Sequence, residues 1–140
     1  ELIQFPPGRG GHYTIPNGIT SVGRAFRSCP NLTSVTIPAD VREIWPSAFR
    51  SCTDLTSVTL GSGLRYINAG AFDSCPNLQA LYFMGNPPYY GWEGGVEHPA
   101  GPVLSSPYII AYHTPENIYW NKAVDWAESH FDCPTTTWNP

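Results

Sequence analysis

Cysteine is the residue type most able to do chemistry in this chain, and its placement is regular. Cys29, Cys52 and Cys75 recur every 23 residues. A zinc site draws its thiolates from short C-x₂₋₄-C pairs, so this spacing is no metal-ligand pattern. A disulfide between two of the three would leave the third unpaired. The spacing reads instead as a ladder of small buried side chains at equivalent places on stacked coils, about 5 Å apart. Cys133, beside Pro134, has no evident partner. A buried thiol and a contact to another chain are both open for it.

The other reactive side chains form no recognisable centre. The histidines are His12, His98, His113 and His130, and none has another at i+3 or i+4, so no metal site on a helix is written. Glu93, Glu97 and His98 share a loop-like stretch with Trp92, where acids are ordinarily solvated. Asp125, Glu128, His130 and Asp132 would spread around a helix rather than share one face. Calcium needs several oxygen ligands in a tight glycine-containing loop, which is missing. No serine sits in G-x-S-x-G. Asn31-Leu32-Thr33 is a formal glycosylation sequon, but Leu32 belongs to the expected core. These residues imply no catalytic centre, no metal and no cofactor.

The cysteines are one line of a larger repeat, and repeats govern the fold. Ala25-Phe26, Ala48-Phe49 and Ala71-Phe72 keep the same 23-residue step, as do Leu32, Leu55, Leu78 and Val35, Val58, Leu81. Upstream the match continues with spacings of 22 and then 23: Ile15, Ile37, Leu60; Ile19, Val41, Leu64; Val22, Ile44, Ile67. The missing residue falls before Ala25, where Gly23-Arg24 stands against Trp45-Pro46-Ser47 and Asn68-Ala69-Gly70. One coil alone cannot bury its apolar face, so the coils must stack. Leu32 to Ile37 alternates as a short strand, with Leu32, Val35 and Ile37 inward and Ser34 and Thr36 outward. Leu55–Leu60 and Leu78–Phe83 repeat it, which predicts a parallel ladder with one strand per coil. Residues 19–22, 41–44 and 64–67 predict a second extended pair per coil. Ser47 to Cys52 predicts one helical turn, of the 3₁₀ kind or close to it.

Composition bounds the role. The 140 residues carry only 13% charged side chains but 41% hydrophobic and 14% aromatic ones. That is a chain with a core rather than a disordered one. A net charge of −4 argues against nucleic acid, which selects a basic face. No apolar run approaches the ~20 residues of a membrane span. The chain opens at Glu1 without a signal-type apolar stretch, as a processed or partial chain would. Residues 1–83 hold six arginines against five acids, while residues 84–140 hold Lys122 against six acids.

The second part differs in kind. Residues 84–107 are rich in proline and glycine, with Tyr89, Tyr90 and Trp92 among them. Residues 108–112 predict a strand closing the ladder. Thr114-Pro115-Glu116 is a good helix start. Trp120, Ala123, Val124, Ala127 and Phe131 make one stripe of a helix over 115–130 that would cover the last coil.

The stretch Ala-Phe-x-x-Cys-x-x-Leu-x-x-Val-x-Ile-Pro at 25–38 resembles the BspA-type (Treponema-type) leucine-rich repeat. Leu2-Ile3-Gln4 with Tyr13-Thr14-Ile15-Pro16 resembles the usual lead-in to such an array, and Tyr82-Phe83-x-Gly85-Asn86-x-Pro88 and Thr137-Trp138-Asn139-Pro140 its usual end. Residues 89–135 depart from the pattern, being longer and more aromatic than its ordinary ending. The expected fold is α/β: a leucine-rich-repeat solenoid of about three 22–23-residue coils with a parallel strand ladder. Its lead-in segment is 1–13, its coils run over about 14–36, 37–59 and 60–83, and 84–140 form an aromatic-rich C-terminal cap with one helix. The resemblance implies an extracellular or cell-surface bacterial setting, where an exposed thiol is a liability, so burial is expected for all four cysteines.

The ladder's outward side chains carry no strong acid, base or nucleophile pair. A surface of this kind binds by shape and hydrogen bonds and does not catalyse. The expected function is therefore a non-enzymatic module making protein–protein or cell-surface contacts. Its candidate partner-binding face is Ser34, Thr36, Ser57, Thr59 and Tyr82, with Arg42 and Arg65 as a small basic strip. The alternative is a self-assembling subunit of an extracellular filament or lattice. An open N-terminal strand edge and the charge difference between the two parts would favour head-to-tail contacts. The candidate assembly surface is Arg9, Tyr89, Tyr90 and Trp92.

Overall fold

Residues that recur every 23 positions end up one strand spacing apart. The computed structural model describes residues 5, 9–86, 88–90, 109–115 and 135–138. Its strands are β1 (Gly11–Thr14), β2 (Ser21–Val22), β3 (Leu32–Ile37), β4 (Glu43–Ile44), β5 (Ser57–Leu60), β6 (Tyr66–Ile67), β7 (Ala80–Phe83), β8 (Tyr89–Tyr90), β9 (Ile110–His113) and β10 (Thr135–Thr137). Six of them make a sheet in the order β1-β3-β5-β7-β9-β10, and four make a second in the order β2-β4-β6-β8. Neighbours pair in parallel throughout, and Val35, Val58, Leu81 and Ala111 stand in one line of the register. Four successive turns of chain each give one strand to each sheet. The molecule is a parallel β-solenoid of about four turns, with β9 and β10 adding two further rungs to the larger sheet.

One expectation changes, and one falls outside the described residues. The expected α/β class is met only in its strand ladder: the described residues contain no α-helix, and their one helical element is the 3₁₀ turn Arg24–Phe26. The α component rested on the cap helix over 115–130. Pro115 stands in a turn and residues 116–130 lie outside the described ones. The count of three coils becomes four. Gly11–Thr14 straddles the end of the expected lead-in yet already pairs with β3 as the first rung, and Tyr89–Tyr90 supplies the fourth strand of the smaller sheet. The strand expected over 108–112 is β9, shifted toward its C-terminal side.

The ladder strands of the third and fourth turns begin two residues later than their apolar pattern. Leu55 N–H bonds back to Cys52 O at 3.2 Å and Leu78 N–H to Cys75 O at 3.1 Å. The Cys-x-x-Leu segment is thus a tight turn with its leucine anchored in the core. Thr56 O accepts from both Gln79 N–H and Ala80 N–H, an irregularity at the rim of the sheet.

The Ala-Phe segment is also a tight turn, built from i→i+3 bonds such as Ala48 to Trp45, Arg50 to Ser47 and Ala71 to Asn68. Ser47 and Gly70, 23 residues apart, both take left-handed backbone with φ of 61° and 64°. Arg24, 23 residues before Ser47, lacks this conformation, and the first turn, one residue shorter before Ala25, closes instead as the 3₁₀ turn. Before each cysteine, Ser28, Ser51 and Ser74 also have φ of 57–64°. That conformation turns Ser28 N–H onto Arg50 O at 2.8 Å and Ser51 N–H onto Asp73 O at 2.9 Å. A backbone line thereby joins the coils on the turn side as well.

Inside, the phenylalanines stack. Phe26 and Phe49 have ring centroids 5.0 Å apart at 16°, and Phe49 and Phe72 5.2 Å apart at 5°. The column is closed at the N-terminal end by Phe5, 5.3 Å from Phe26, and by Tyr13 edge-on to Phe5 at 4.9 Å. Corners let the coils approach this closely through glycine: a Cβ on Gly61 would fall 2.5 Å from Pro38 backbone, and one on Gly63 would overlap Ala39 O.

Two outcomes follow for stability. Phe49 is fully buried between two rings, so Phe49→Ala costs about 3–5 kcal/mol in chemical denaturation; a loss under about 1 kcal/mol would mean that the column is not the core. Ser51→Gly relieves left-handed strain and stabilises by about 1 kcal/mol, seen as a raised melting temperature; an unchanged or lowered one would contradict the strain.

Candidate functional site

The register turns the outward residues of the larger sheet into two rows. His12, Ser34, Ser57 and Ala80 form one, and Thr14, Thr36, Thr59, Tyr82, Tyr112 and Thr136 the other. Each step crosses to the adjacent strand, so hydroxyls repeat at the strand spacing of about 4.8 Å. At one end His12 gathers them: Nδ1 lies 2.8 Å from Ser34 Oγ, and Nε2 lies 3.1 Å from Thr14 Oγ1 and 3.4 Å from Thr36 Oγ1. At the other end the row becomes aromatic. Tyr82 stacks on Tyr112 at 4.8 Å and 21°, and Trp138 leans on Tyr82 at 4.8 Å and 54°. Trp138 is held there by its backbone N–H on His113 O at 2.7 Å.

The His12–Ser34 contact has the distance of a nucleophile and its base, but the rest of such a device is lacking. Among the described residues no carboxylate orients the imidazole, whose second nitrogen faces threonine hydroxyls. β3 lies between β1 and β5, so its backbone N–H groups are engaged in the ladder and cannot stabilise an oxyanion. The contact fixes hydroxyl positions on an exposed sheet face.

The residues singled out from sequence separate into distinct places. Ser34, Thr36, Ser57, Thr59 and Tyr82 share the larger sheet's outer face. Arg42 and Arg65 are exposed and adjacent, with Arg65 N–H on Arg42 O at 2.8 Å, but they flank the strands of the smaller sheet. Arg9 is exposed beside the first rung, its guanidinium 5.8 Å from the Tyr13 ring centre. Tyr89 and Tyr90 are the fourth strand of the smaller sheet; Trp92 and Cys133 lie outside the described residues. Sequence reasoning missed His12, Tyr112 and Trp138 as members of the face. Only the parity of residues 12 and 14 about Tyr13 could have pointed to His12. It also missed buried Asn68, whose Nδ2 donates to Glu43 Oε1 and Ile44 O at 3.0 and 2.9 Å.

Cys52 and Cys75 are buried and bond across coils, whereas Cys29, expected to be buried too, is only half-buried and its Sγ lies 3.9 Å from Arg27 O of its own turn. Cys52 Sγ donates to Phe26 O at 2.9 Å and Cys75 Sγ to Phe49 O at 3.0 Å. All three described thiols are free. Burial, helped by the nearby Cys52, pushes the Cys29 thiol up to about 11. The adjacent Cys75 thiol and burial push Cys52 up further. These are protonated, unreactive groups. Among the described residues no group of three or more His, Cys, Asp or Glu side chains could hold a metal ion.

Residues 11–90 match the family model described as the BspA type leucine rich repeat region, in 6 copies. The chain belongs to the BspA-type leucine-rich repeat family. Among solved structures it is similar to a leucine-rich repeat protein of T. pallidum (TpLRR), with 32% identity over 56% of this chain and 42% of that one and a TM-score of 0.50. It also resembles a leucine-rich cell surface protein of Faecalibacterium prausnitzii, with 27% identity, 57% and 28% coverage and a TM-score of 0.43. The pneumococcal vaccine antigen PcpA aligns over 99% of this chain and 44% of its own at 15% identity and a TM-score of 0.54, a likeness of fold. This BspA-type chain therefore spans less than half the length of each of these structures. Among curated proteins no match is found. No helix of the described residues is long and apolar enough to cross a membrane.

The thiol geometry sets an expected reactivity. At pH 8 a group titrating near 11 is about 0.1% thiolate, against about a quarter for an ordinary cysteine. Iodoacetamide should label Cys29 of the native chain roughly 250-fold more slowly than the unfolded chain, with the rate rising as pH climbs toward 11. Cys52 and Cys75 should stay unlabelled until the coil opens. Site-resolved mass spectrometry checks this; labelling of any of the three at the unfolded rate would contradict it.

Proposed function

We propose that this chain is a non-enzymatic, extracellular or cell-surface module that holds a partner on the outer face of its larger sheet. The observation that carries the reading is the row Thr14, Thr36, Thr59, Tyr82, Tyr112. It is a continuous line of hydrogen-bonding and aromatic groups on the ladder, exposed at Thr14 and half-buried at the other four. A row of this kind offers many weak, aligned contacts to an extended partner and no reacting centre. The family supports the same reading, since stacked repeats create extended binding surfaces, and the bacterial surface setting that the repeat implies fits it.

Self-assembly into a filament or lattice is the second reading, favoured by one observation. Among the described residues β1 and β10 each have a strand neighbour on one side only, and such edges can accept another chain. Arg9 at the first rung and Tyr89–Tyr90 at the fourth turn would then lie toward opposite ends of a head-to-tail contact.

The two readings predict different behaviour. As a binding module, the labelled chain attaches saturably to cell surfaces. A Thr36→Lys/Thr59→Lys variant that melts within about 2 °C of the parent loses at least about tenfold in affinity. Sedimentation of the parent then shows a monomer at all concentrations. Attachment indifferent to the double variant would sink the face as the binding site, and concentration-dependent polymers would replace it with the assembly reading.

A further inference from the structure

The outer face of the larger sheet also specifies the chemistry of what it holds. We propose that its ligand is a neutral polysaccharide, laid along the row across successive strands; this rests on the binding-module reading above. Three observations converge on it.

The first is charge. Within the described residues, the outward positions of β1, β3, β5, β7, β9 and β10 carry no Asp, Glu, Lys or Arg, and the exposed arginines Arg42 and Arg65 flank the other sheet. Beyond His12 and Arg9 at the first rung, an anionic glycan or acidic protein segment would find no cation along the described rows, and a basic one no carboxylate. The second is hydroxyl supply. Thr36 and Thr59 stand on adjacent strands in register, as do Ser34 and Ser57. The Ser57 and Thr59 hydroxyls make no side-chain hydrogen bond within the described residues. Each such group both donates and accepts, which matches the alternating donor and acceptor character of sugar hydroxyls. The third is the aromatic end. Tyr82 is stacked on Tyr112 and touched by Trp138, and its register partner on the strand before it is Thr59. A pyranose has one face of C–H groups and an equatorial rim of hydroxyls. Set over the Thr59 rung, it places the C–H face on the Tyr82 ring and the rim on the threonine and serine hydroxyls. Aromatic rings suit contacts that are apolar on one side and wet on the other.

A protein partner fits less well. Peptides that add to a sheet pair with an edge strand through backbone groups, and protein hot spots are desolvated pockets for large side chains. The row is neither an edge nor a pocket.

Affinity electrophoresis of the full chain in gels containing a neutral polysaccharide tests this. The probes are β-glucan, xylan, galactomannan and dextran, with alginate and heparin as anionic controls. The expected result is retardation by at least one neutral polymer and by neither anionic one. Tyr82→Ala should weaken that retardation at least tenfold, and so should Thr59→Lys, whose strand position tolerates the change even if the tyrosine does not. Arg65→Ala should leave it unaltered. No retardation by any neutral polymer, retardation by the anionic polymers alone, or retardation that survives both face variants would overturn the proposal. If the chain meanwhile attaches to cell-surface protein through the same threonines, the sugar assignment falls and the binding-module reading stands.

Discussion

Register is the constraint on which this molecule depends. A coil must bring its chain back to the starting position, displaced by one strand spacing, so that each apolar side chain lands on its counterpart. Phe26, Phe49 and Phe72 do this at centroid separations of 5.0 and 5.2 Å, the spacing that the paired backbones impose. The rings and the backbone ladder therefore enforce the same repeat. Any residue added or lost within a coil must be absorbed before the next Ala-Phe pair, or every inward side chain beyond it turns outward.

Several local features are consequences of that requirement. The first coil is one residue shorter before Ala25, and a 3₁₀ turn takes up the loss where the next two coils have left-handed Ser47 and Gly70. At Ser28 and Ser51 the left-handed backbone delivers an N–H to the next coil. The Cys52 and Cys75 thiols reach the preceding turn, where they donate to Phe26 O and Phe49 O. Chemistry that cysteine could perform elsewhere is suppressed by that packing.

The repeating part of the fold was legible because its signal is a spacing. Leu32–Ile37, the Ala-Phe turns and the paired extended segments follow from apolar positions recurring at fixed steps. The ends were less legible for a physical reason. β1 reads Gly-His-Tyr-Thr, with glycine where the other rungs have leucine and a bulge at that point. β10 is three threonines with no apolar residue to mark it. Both owe their strand state to the neighbour they pair with rather than to their own pattern. The outward face was half legible. Ser34, Thr36, Ser57, Thr59 and Tyr82 follow from alternation along strands already recognised. His12, Tyr112 and Trp138 join them only through contacts between strands well separated in sequence, His12 with Ser34 and Tyr112 and Trp138 with Tyr82. Arg42 and Arg65 were grouped with that face on type alone, and the coil carries them to its other sheet.

Function follows from the same geometry, since a face built on a ladder has positions as fixed as the ladder. The most direct measurement of that ladder is an NMR spectrum of the chain with labelled phenylalanine, recorded for contacts between ring protons. Stacked coils predict strong ring-to-ring cross-peaks from Phe26 to Phe49 and from Phe49 to Phe72, and none from Phe26 to Phe72. Absence of the two sequential contacts, or a direct one between the outer pair, would contradict the architecture.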